Sequence, residues 1–321
     1  MTTLIRSENL NPFFNLAMEE YLLKNSSEDI VLIYRNNPCV VVGKHQNTLA
    51  EIDLRVVRQS DIEIVRRISG GGTVYHDPGN LNFSFIKNHG GEGHQVDFQS
   101  AVKPIIGFLH SFGLNAHILG KNSLGIDQKK VSGNSAHVHR RRTIHHGTLL
   151  YQANLETLDF VVQKNPEAYT SKAVQSVRAS VANISELMPE PISLDSFSQQ
   201  LIEFLHPQKE RELTSEEVEL ITLLSTSKYN TWEWNFGYSP DYHFTRNFSI
   251  ADQNFSVGLV VSNGFINEVH TSGLADESVS SLLRKCLLHT RHHEIINMST
   301  NAFEENMIFA PEITSLLQHL I

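Results

Sequence analysis

Apolar and polar positions follow two different periods along this chain. Across residues 97–112 apolar side chains fall at Phe98, Val102, Ile105, Ile106, Leu109 and Phe112. Spacings of three and four predict a helix, with Gly113 as its stop. Pro104 lies within that span, so the helix is either kinked or begins after Asp97. Asn11-Pro12 reads as an N-cap followed by a first-turn proline, opening a helix through about Lys24 whose polar residues include Glu19 and Glu20. Helices are also predicted over 193–205 and 214–227, the second opened by a capping box of Thr214 with Glu217.

The second period is that of strands. Short apolar runs broken by turn residues occupy 30–35 and 39–43, split by Asn36-Asn37-Pro38, then 62–66, 73–76 and 81–86. Asp77-Pro78-Gly79-Asn80 carries a turn signature, which predicts a hairpin of the last two runs. Residues 116–151 read as several short strands. The texture changes at Trp232-Glu233-Trp234-Asn235, and Gly237-Tyr238-Ser239-Pro240 reads as irregular connector. Strands follow at 244–250, 254–261 and 265–271, with Asn263-Gly264 as a hairpin turn between the last two. Helices are predicted at about 276–289 and 311–320. These elements predict two domains, 1–242 and a small α+β domain, 243–321.

Composition narrows the classes. The chain has 321 residues, 40% hydrophobic and 19% charged, an ordinary globular balance. Its 26 Lys plus Arg against 35 Asp plus Glu give a formal net charge of −9, which argues against a general nucleic-acid binder. A local basic pocket for nucleotide phosphates stays compatible with it. No apolar stretch is long enough to span a membrane, and the N-terminal residues lack the apolar core of a signal peptide. Cys39 and Cys286 are far apart in apolar runs, and are expected to be reduced, buried and structural. A cytoplasmic monomer with no membrane partner is the expectation.

The chemistry concentrates in residues 66–85, RRISGGGTVYHDPGNLNFSF. Gly70, Gly71 and Gly72 tolerate unusual dihedrals and leave no Cβ between backbone and ligand. Two readings stand open: a flexible surface loop, or a nest of N–H groups for an anion with Arg66-Arg67 beside it. The loop lies between strands, which argues against a P-loop or a dinucleotide-binding fingerprint, since both need a helix next. Lys130 enters a strand beside a tight turn at 127–129, where it can project into a cleft. Arg140, Arg141 and Arg142 form a charge run, expected as solvated loop. His145 and His146 alternate across a strand, so the pair is a poor chelate; a buried, hydrogen-bonded histidine is expected for one of them. His289, His292 and His293 read as a polar helix end.

The motifs RRISGGGTVYHDPGNLNFSF, KKVSGNSAH, HHGTLLY, SVRASVANISEL and WEWNFGYSP occur here in that order. In this they resemble lipoate–protein ligases of the A type, from Asn11 to beyond residue 240. The resemblance implies an α+β fold: a biotin/lipoate ligase-like large domain with a mixed, mostly antiparallel sheet, plus the small C-terminal domain. It implies that lipoate and Mg-ATP give lipoyl-AMP, whose acyl group passes to a lysine of apo lipoyl domains. Those acceptors are E2 subunits of 2-oxoacid dehydrogenases and the glycine-cleavage H protein. Lys130 is the implied catalytic residue, touching both lipoate carboxylate and α-phosphate. ATP and the adenylate would be held by Arg67, Gly72, Thr73, Val74 and Tyr75, with Asn80, Asn82, Lys130 and Thr148. Lipoate would lie against Ser69, Gly70, Gly71, His76, Lys130, Gly133 and Gly147. No metal ligand is assigned. Many relatives have Asn-Asp where this chain has Asn122-Ser123. Two alternatives are a lipoyl- or octanoyltransferase and a non-catalytic lipoate-binding protein. Neither cysteine lies near Lys130 in sequence, where the common transferase places its nucleophile, and a pure binder has less need of Lys130.

Overall fold

The computed structural model of the chain describes residues 2–89, 96–162, 166–250, 253–273, 277–301, 317 and 320. Its strands are β1 (Thr2–Ser7), β2 (Asp29–Tyr34), β3 (Cys39–Val42), β4 (Glu63–Arg66), β5 (Val74–His76), β6 (Asn80–Asn88), β7 (His117–Leu119) and β8 (Ser123–Ile126). They continue with β9 (Lys129–His139), β10 (Arg142–Leu150), β11 (Tyr169–Ser171), β12 (Lys209–Glu210), β13 (Tyr242–Ile250), β14 (Gln253–Ser262) and β15 (Phe265–Ser272). The longer helices are α1 (Pro12–Asn25), α2 (Phe98–Ser111), α3 (Leu194–Leu205), α4 (Ser215–Leu224) and α5 (Glu277–Leu287). Two units form: Met1–Lys44, Ile62–Asp159 and Ser176–Thr231 make the first, and His45–Asp61, Phe160–Gln175 and Trp232–Ile321 the second. The helix expected over 311–320 falls outside the described residues except at 317 and 320.

The first unit is α+β. Its main sheet has eight strands in the order β12-β1-β2-β6-β10-β9-β8-β7, parallel only where β1 meets β12 and β2. A second sheet, β4-β3-β5, stands apart from it. The predicted hairpin of 73–76 with 81–86 is therefore corrected. The turn forms, with Asn80 N–H donating to Asp77 O at 3.0 Å, but β5 pairs with β3 while β6 pairs with β2 and β10. The turn packs against the chain just after β10: Gln152 N–H donates to Gly79 O at 2.9 Å, and a Cβ at Gly79 would clash with the Gln152 carbonyl.

Local signals placed the helices. Asn11 caps α1, its Oδ1 accepting from Phe13 N–H at 2.8 Å and Phe14 N–H at 3.2 Å. α2 begins after Asp97, carries Pro104 inside, and closes on Gly113 at φ +75° with Leu114 N–H donating to Leu109 O and Gly113 N–H to His110 O, a Schellman ending. Phe108 of α2 and Phe197 of α3 pack with Val31, Phe83, Phe85 and Leu149 of the sheet as one core. Arg142, expected as solvated, is buried: it donates to Leu23 O, Glu28 O and Asn88 Oδ1, while Arg140 and Arg141 remain exposed.

Helix α1 is buried nearly all round, which carries two carboxylates inside. Glu20 accepts from Lys24 at 2.5 Å, from Lys228 at 2.6 Å and from the Tyr229 hydroxyl at 2.6 Å. These bonds pin α1 to the segment after α4.

In the second unit β11-β13-β14-β15 is antiparallel throughout, with Leu283 and Leu287 of α5 in its core. Asn263 and Gly264, at φ +50° and +77°, make the predicted hairpin turn. A helical turn, Glu233–Gly237, ends where the expected irregular connector begins, and 238–240 form no regular element. His292 is not part of a polar helix end. It is buried, hydrogen-bonded to the Tyr242 hydroxyl at 2.6 Å, and burial, reinforced by His293, pushes its pKa down to about 3.

Burial alone would raise the Glu20 pKa, but hydrogen bonds from Lys228, Lys24 and Tyr229 outweigh it and hold it at about 2. A carboxylate with a depressed folded pKa contributes stability that is present above its unfolded value of 4.5 and is lost as pH falls toward about 2. Between those pH values the wild-type unfolding free energy should therefore fall more steeply than that of Glu20→Gln. Urea titrations at a series of pH values check this, and parallel slopes would count against it.

Candidate functional site

Arg67, at the end of β4, is buried and shapes the glycine loop. Its Nε donates to Ser69 Oγ at 3.0 Å and Nη1 to Val41 O of β3 at 3.1 Å. Nη2 donates to Gly70 O at 2.5 Å and Gly72 O at 2.7 Å. Burial lowers its pKa to about 10, partly offset by Glu19, so it stays a cation at neutral pH. Gly71 sits at φ +85° with the position of a Cβ 3.2 Å from Arg67 Nη2, a conformation that favours glycine. Beyond it, Thr73 N–H donates to Ser176 Oγ at 2.8 Å.

Strand β9 brings the second motif against the first. Ser135 Oγ donates to Gly70 O at 2.8 Å. The Lys130 side chain lies over Gly133, with Cε and Nζ each 3.3 Å from where a Cβ would stand there, and Val74 Cγ1 of β5 lies 3.7 Å from the same point. Any larger residue at 133 would push against the lysine. Asp127 and Gln128, both at positive φ, turn the chain so that Lys130 enters β9. The Lys130 backbone bonds to Ser180 O and Ala182 N–H, which lays the 180–182 segment alongside. Burial, and then the Arg67 charge, lower the Lys130 pKa. Ser123 pairs opposite Gly133 across β8 and β9.

The mouth of β6 contributes unpaired polar atoms. Thr148 of β10 lies opposite Asn82, and its Oγ1 accepts a long 3.5 Å bond from Gly133 N–H. Asn80 Nδ2 donates to Asn82 Oδ1 at 3.0 Å, leaving Asn82 Nδ2 and Asn80 Oδ1 buried without partners among the described residues. His76 Nδ1 accepts from Asn36 Nδ2 at 3.0 Å, and Asn36 is oriented by Asn15. Burial, with the charges of Arg67 and His146, pushes His76 down to about 3, so the ring is neutral with its proton on Nε2, an unpaired donor. Such buried groups each cost about 1–3 kcal/mol when unmet.

The remaining residues expected in the site have other neighbours. Tyr75 points away from Val74 and His76 by strand alternation; burial, then Asp77, raises its pKa to about 12. A Cβ on Gly147 would clash with Asn134 Oδ1 and stand 2.7 Å from Phe83 Cζ. Ser69 is fully buried, its hydroxyl engaged by Arg67 and by His146 Nε2 at 2.6 Å. His146 Nδ1 lies 2.7 Å from Glu19 Oε2, and Glu19 also accepts from Tyr34 at 2.9 Å and from Ser84. As expected, one of the two adjacent histidines is hydrogen-bonded, while Nδ1 of His145 is unpaired. Sequence reading missed Glu19, Asn36, Ser135 and Ser176. Only Ser135 carried a signal, as part of KKVSGNSAH. Among the described residues no group of three His, Cys, Asp or Glu is placed to hold a metal.

Comparison with known proteins is consistent with this geometry. A protein-family model described as the lipoyl protein ligase A/B catalytic domain matches residues 11–206. Lipoate–protein ligase 1 of Staphylococcus aureus is 41% identical over 255 residues, covering 78% of this chain and 76% of that protein. The chain belongs to the lipoate–protein ligase A family. It is thus an enzyme, of the ligase class. A lipoate–protein ligase of Bacillus subtilis in the same family is 34% identical over 278 residues, 84% of each chain. The lipoate protein ligase of Thermoplasma acidophilum, solved as a bi-partite ligase with its E2 lipoyl domain, has a TM-score of 0.62 at 26% identity, covering 74% of this chain and 96% of that one. The Thermoplasma protein has also been solved with bound lipoic acid, with the same TM-score and identity over 73% and 98%. A lipoate–protein ligase A structure bound with ATP has a TM-score of 0.62 at 25% identity over 74% and 98%.

In this family member Gly147 is tied to packing. Gly147→Ala should destabilise the fold by about 1–3 kcal/mol, the usual range for overpacking. A lowered urea midpoint is the expected reading; an unchanged midpoint with a raised lipoate KM would return Gly147 to ligand contact alone.

Proposed function

We propose that the surface shared by β9, β5, the glycine loop and the start of β6 is the active site of an ATP-dependent lipoate–protein ligase. The lipoate carboxylate attacks the α-phosphorus of ATP, giving lipoyl-AMP and pyrophosphate. The ε-amine of an acceptor lysine then attacks the anhydride carbonyl, forming an amide and releasing AMP. The observation that carries this reading is Lys130, whose ammonium lies over Gly133, near strands that offer unpaired donors among the described residues.

The physics of the first step calls for such an arrangement. Two anions must be brought into line, so catalysis rests on positioning and on charge placed where it develops. A compact ammonium can bridge carboxylate and phosphate oxygens, and the arrival of two anions favours its charged form against the lowering caused by burial. His76 Nε2–H and Asn82 Nδ2 are donors for substrate oxygens, and Asn80 Oδ1 is an acceptor for a hydroxyl or amino group. Thr148 has a hydroxyl proton to donate. Arg67, its guanidinium engaged by Ser69, Val41, Gly70 and Gly72, contributes charge and loop shape. Gly70, Gly71 and Gly72, with Thr73 and Val74, wall the ligand; Ser69, Tyr75, Gly133 and Gly147 support that wall and let the strands approach.

The relatives solved with lipoic acid and with ATP support both substrates. Mg²⁺ would arrive on the ATP phosphates, its usual mode of binding, since no protein cage for it stands among the described residues. The Thermoplasma ligase with its E2 lipoyl domain supports lipoyl domains as acceptors. In this reading the acceptors are apo E2 lipoyl domains and the glycine-cleavage H protein, and the chain works as a monomer in the cytoplasm. Residues 1–242 carry catalysis and 243–321 an accessory role. An acyl-cysteine route has little support: burial raises the Cys39 thiol well above its ordinary pKa, so it stays protonated and a poor nucleophile.

Intact-mass analysis of an apo lipoyl domain incubated with the chain, lipoate and Mg-ATP tests the function. A lipoyl mass gain is expected. Gain only from synthetic lipoyl-adenylate would make the chain a transferase, and no gain from either a binder. Lys130→Ala should lower lipoate-dependent pyrophosphate release by about a hundredfold or more while the chain stays folded. Wild-type release in that variant would remove Lys130 from the chemistry.

A further inference from the structure

Behind the glycine triplet a line of buried polar groups runs through the sheet to helix α1. Its links are Glu19 to His146 at 2.7 Å, His146 to Ser69 at 2.6 Å, Ser69 to Arg67 at 3.0 Å, and Arg67 to the carbonyls of Gly70 and Gly72. Glu19, Ser69, Arg67 and His146 are each at most 7% exposed. An arginine only donates, so Ser69 Oγ accepts in its link to Arg67. Ser69 Oγ and His146 Nε2 are directly hydrogen-bonded, and the hydroxyl can serve that bond as donor or, through its second lone pair, as acceptor. The Glu19 carboxylate only accepts, so His146 carries a proton on Nδ1, toward Glu19. The Glu19 carboxylate takes that proton and those of Tyr34 and Ser84. Each group named in the line has a partner at both ends.

The line ends on the glycine loop rather than in apolar core. Three glycines in a row have the largest backbone freedom of any tripeptide and no side chains to pack. Their conformation must be imposed from outside, and Arg67 holds two of their carbonyls. Arg67 is in turn oriented through Nε by Ser69. We propose that Glu19 and His146 are positioning residues for the ligation reaction, setting the glycine loop through Ser69 and Arg67. This rests on the reading of the loop as a wall of the lipoyl-adenylate site. Lys130 approaches from β9, outside the line, so loosening the loop weakens substrate binding and leaves the chemical step nearly intact. A loss of interactions common to ground and transition states appears in KM, not kcat.

Two substitutions at one position separate the links. His146→Asn places an amide where Nδ1 stands and reaches Glu19 but not Ser69. His146→Gln extends to where Nε2 stands and can still hydrogen-bond Ser69 Oγ. With the full chain, lipoate and Mg-ATP, His146→Asn should raise the lipoate KM about tenfold, the scale of one lost buried hydrogen bond, with kcat within about threefold. His146→Gln should bring KM back to within about threefold of wild type. A merely structural role would lower the thermal midpoint of both variants and leave their KM values equal; that result overturns the proposal. Glu19→Gln, isosteric and least prone to misfold, must also raise KM at near-constant kcat. An unchanged KM in that variant overturns the proposal even if neither His146 variant folds. Wild-type chain that fails to lipoylate any acceptor would defeat the proposed function; wild-type turnover with unmoved variant KM values would defeat only the positioning role.

Discussion

The buried Arg67 guanidinium is the interaction on which the rest of the site depends. It joins the β4-β3-β5 sheet, through Val41 O, to the glycine loop, through Gly70 O and Gly72 O. A cation this deeply buried is costly unless its donors are met. Here four acceptors meet them, and the nearby Glu19 carboxylate opposes the desolvation. The loop carbonyls are thereby turned toward the protein. Just beyond them the Thr73 N–H is held by Ser176 Oγ. A single side chain converts the most flexible tripeptide in the sequence into a fixed surface.

Burial does different work at the two cations of the site. Arg67 keeps its charge at neutral pH, because its ordinary pKa is so high that lowering to about 10 changes nothing there. Lys130 starts lower and is only partly enclosed, so its charge responds to what lies beside it. That division suits an enzyme whose substrates bring the negative charge. In the proposed site Arg67 would give a permanent field and a shape, and Lys130 a charge whose stability depends on the anions being present. The neutral His76 fits the same logic: near the Arg67 cation a buried imidazole is more useful as an uncharged N–H donor than as a further positive charge.

What was legible in the sequence was what local chemistry determines. The Asn11 cap acts within three residues, the Asn263-Gly264 turn within two, and the Thr214 and Glu217 capping box within four, so their signals survive without tertiary context. The ordered motifs put Lys130, Gly133 and the glycine triplet into one expected site; in the structure Lys130 lies over Gly133, and Ser135 of the same strand donates to Gly70 O. Strand partners were not legible in the same way. Asp77–Asn80 turns as its residues dictate, yet a turn of this kind does not decide whether its flanks pair; β6 is claimed by β2 and β10, and β5 by β3. Glu19 and Glu20 beside Lys24 look like a solvated helix face. Only the all-round burial of α1 shows that their partners lie on β2, β6, β10 and the segment after α4.

The same reasoning explains why the site carries unpaired polar atoms while the network behind it carries none. Glu19, His146, Ser69 and Arg67 are satisfied by one another, so no ligand is needed to complete them, and they can be as rigid empty as filled. His76 Nε2, Asn80 Oδ1 and Asn82 Nδ2 are instead left open where β5 ends and β6 begins. Each is fixed by a bond on its other polar atom, to Asn36 or to each other, so orientation is settled before a substrate arrives. A ligand that meets these atoms relieves a desolvation penalty already present in the fold, and does so without ordering flexible side chains. Preorganisation of that kind favours tight, directional binding of a polar ligand. It also concentrates specificity in a few atoms, so a ligand lacking the matching oxygen would leave a buried donor unmet.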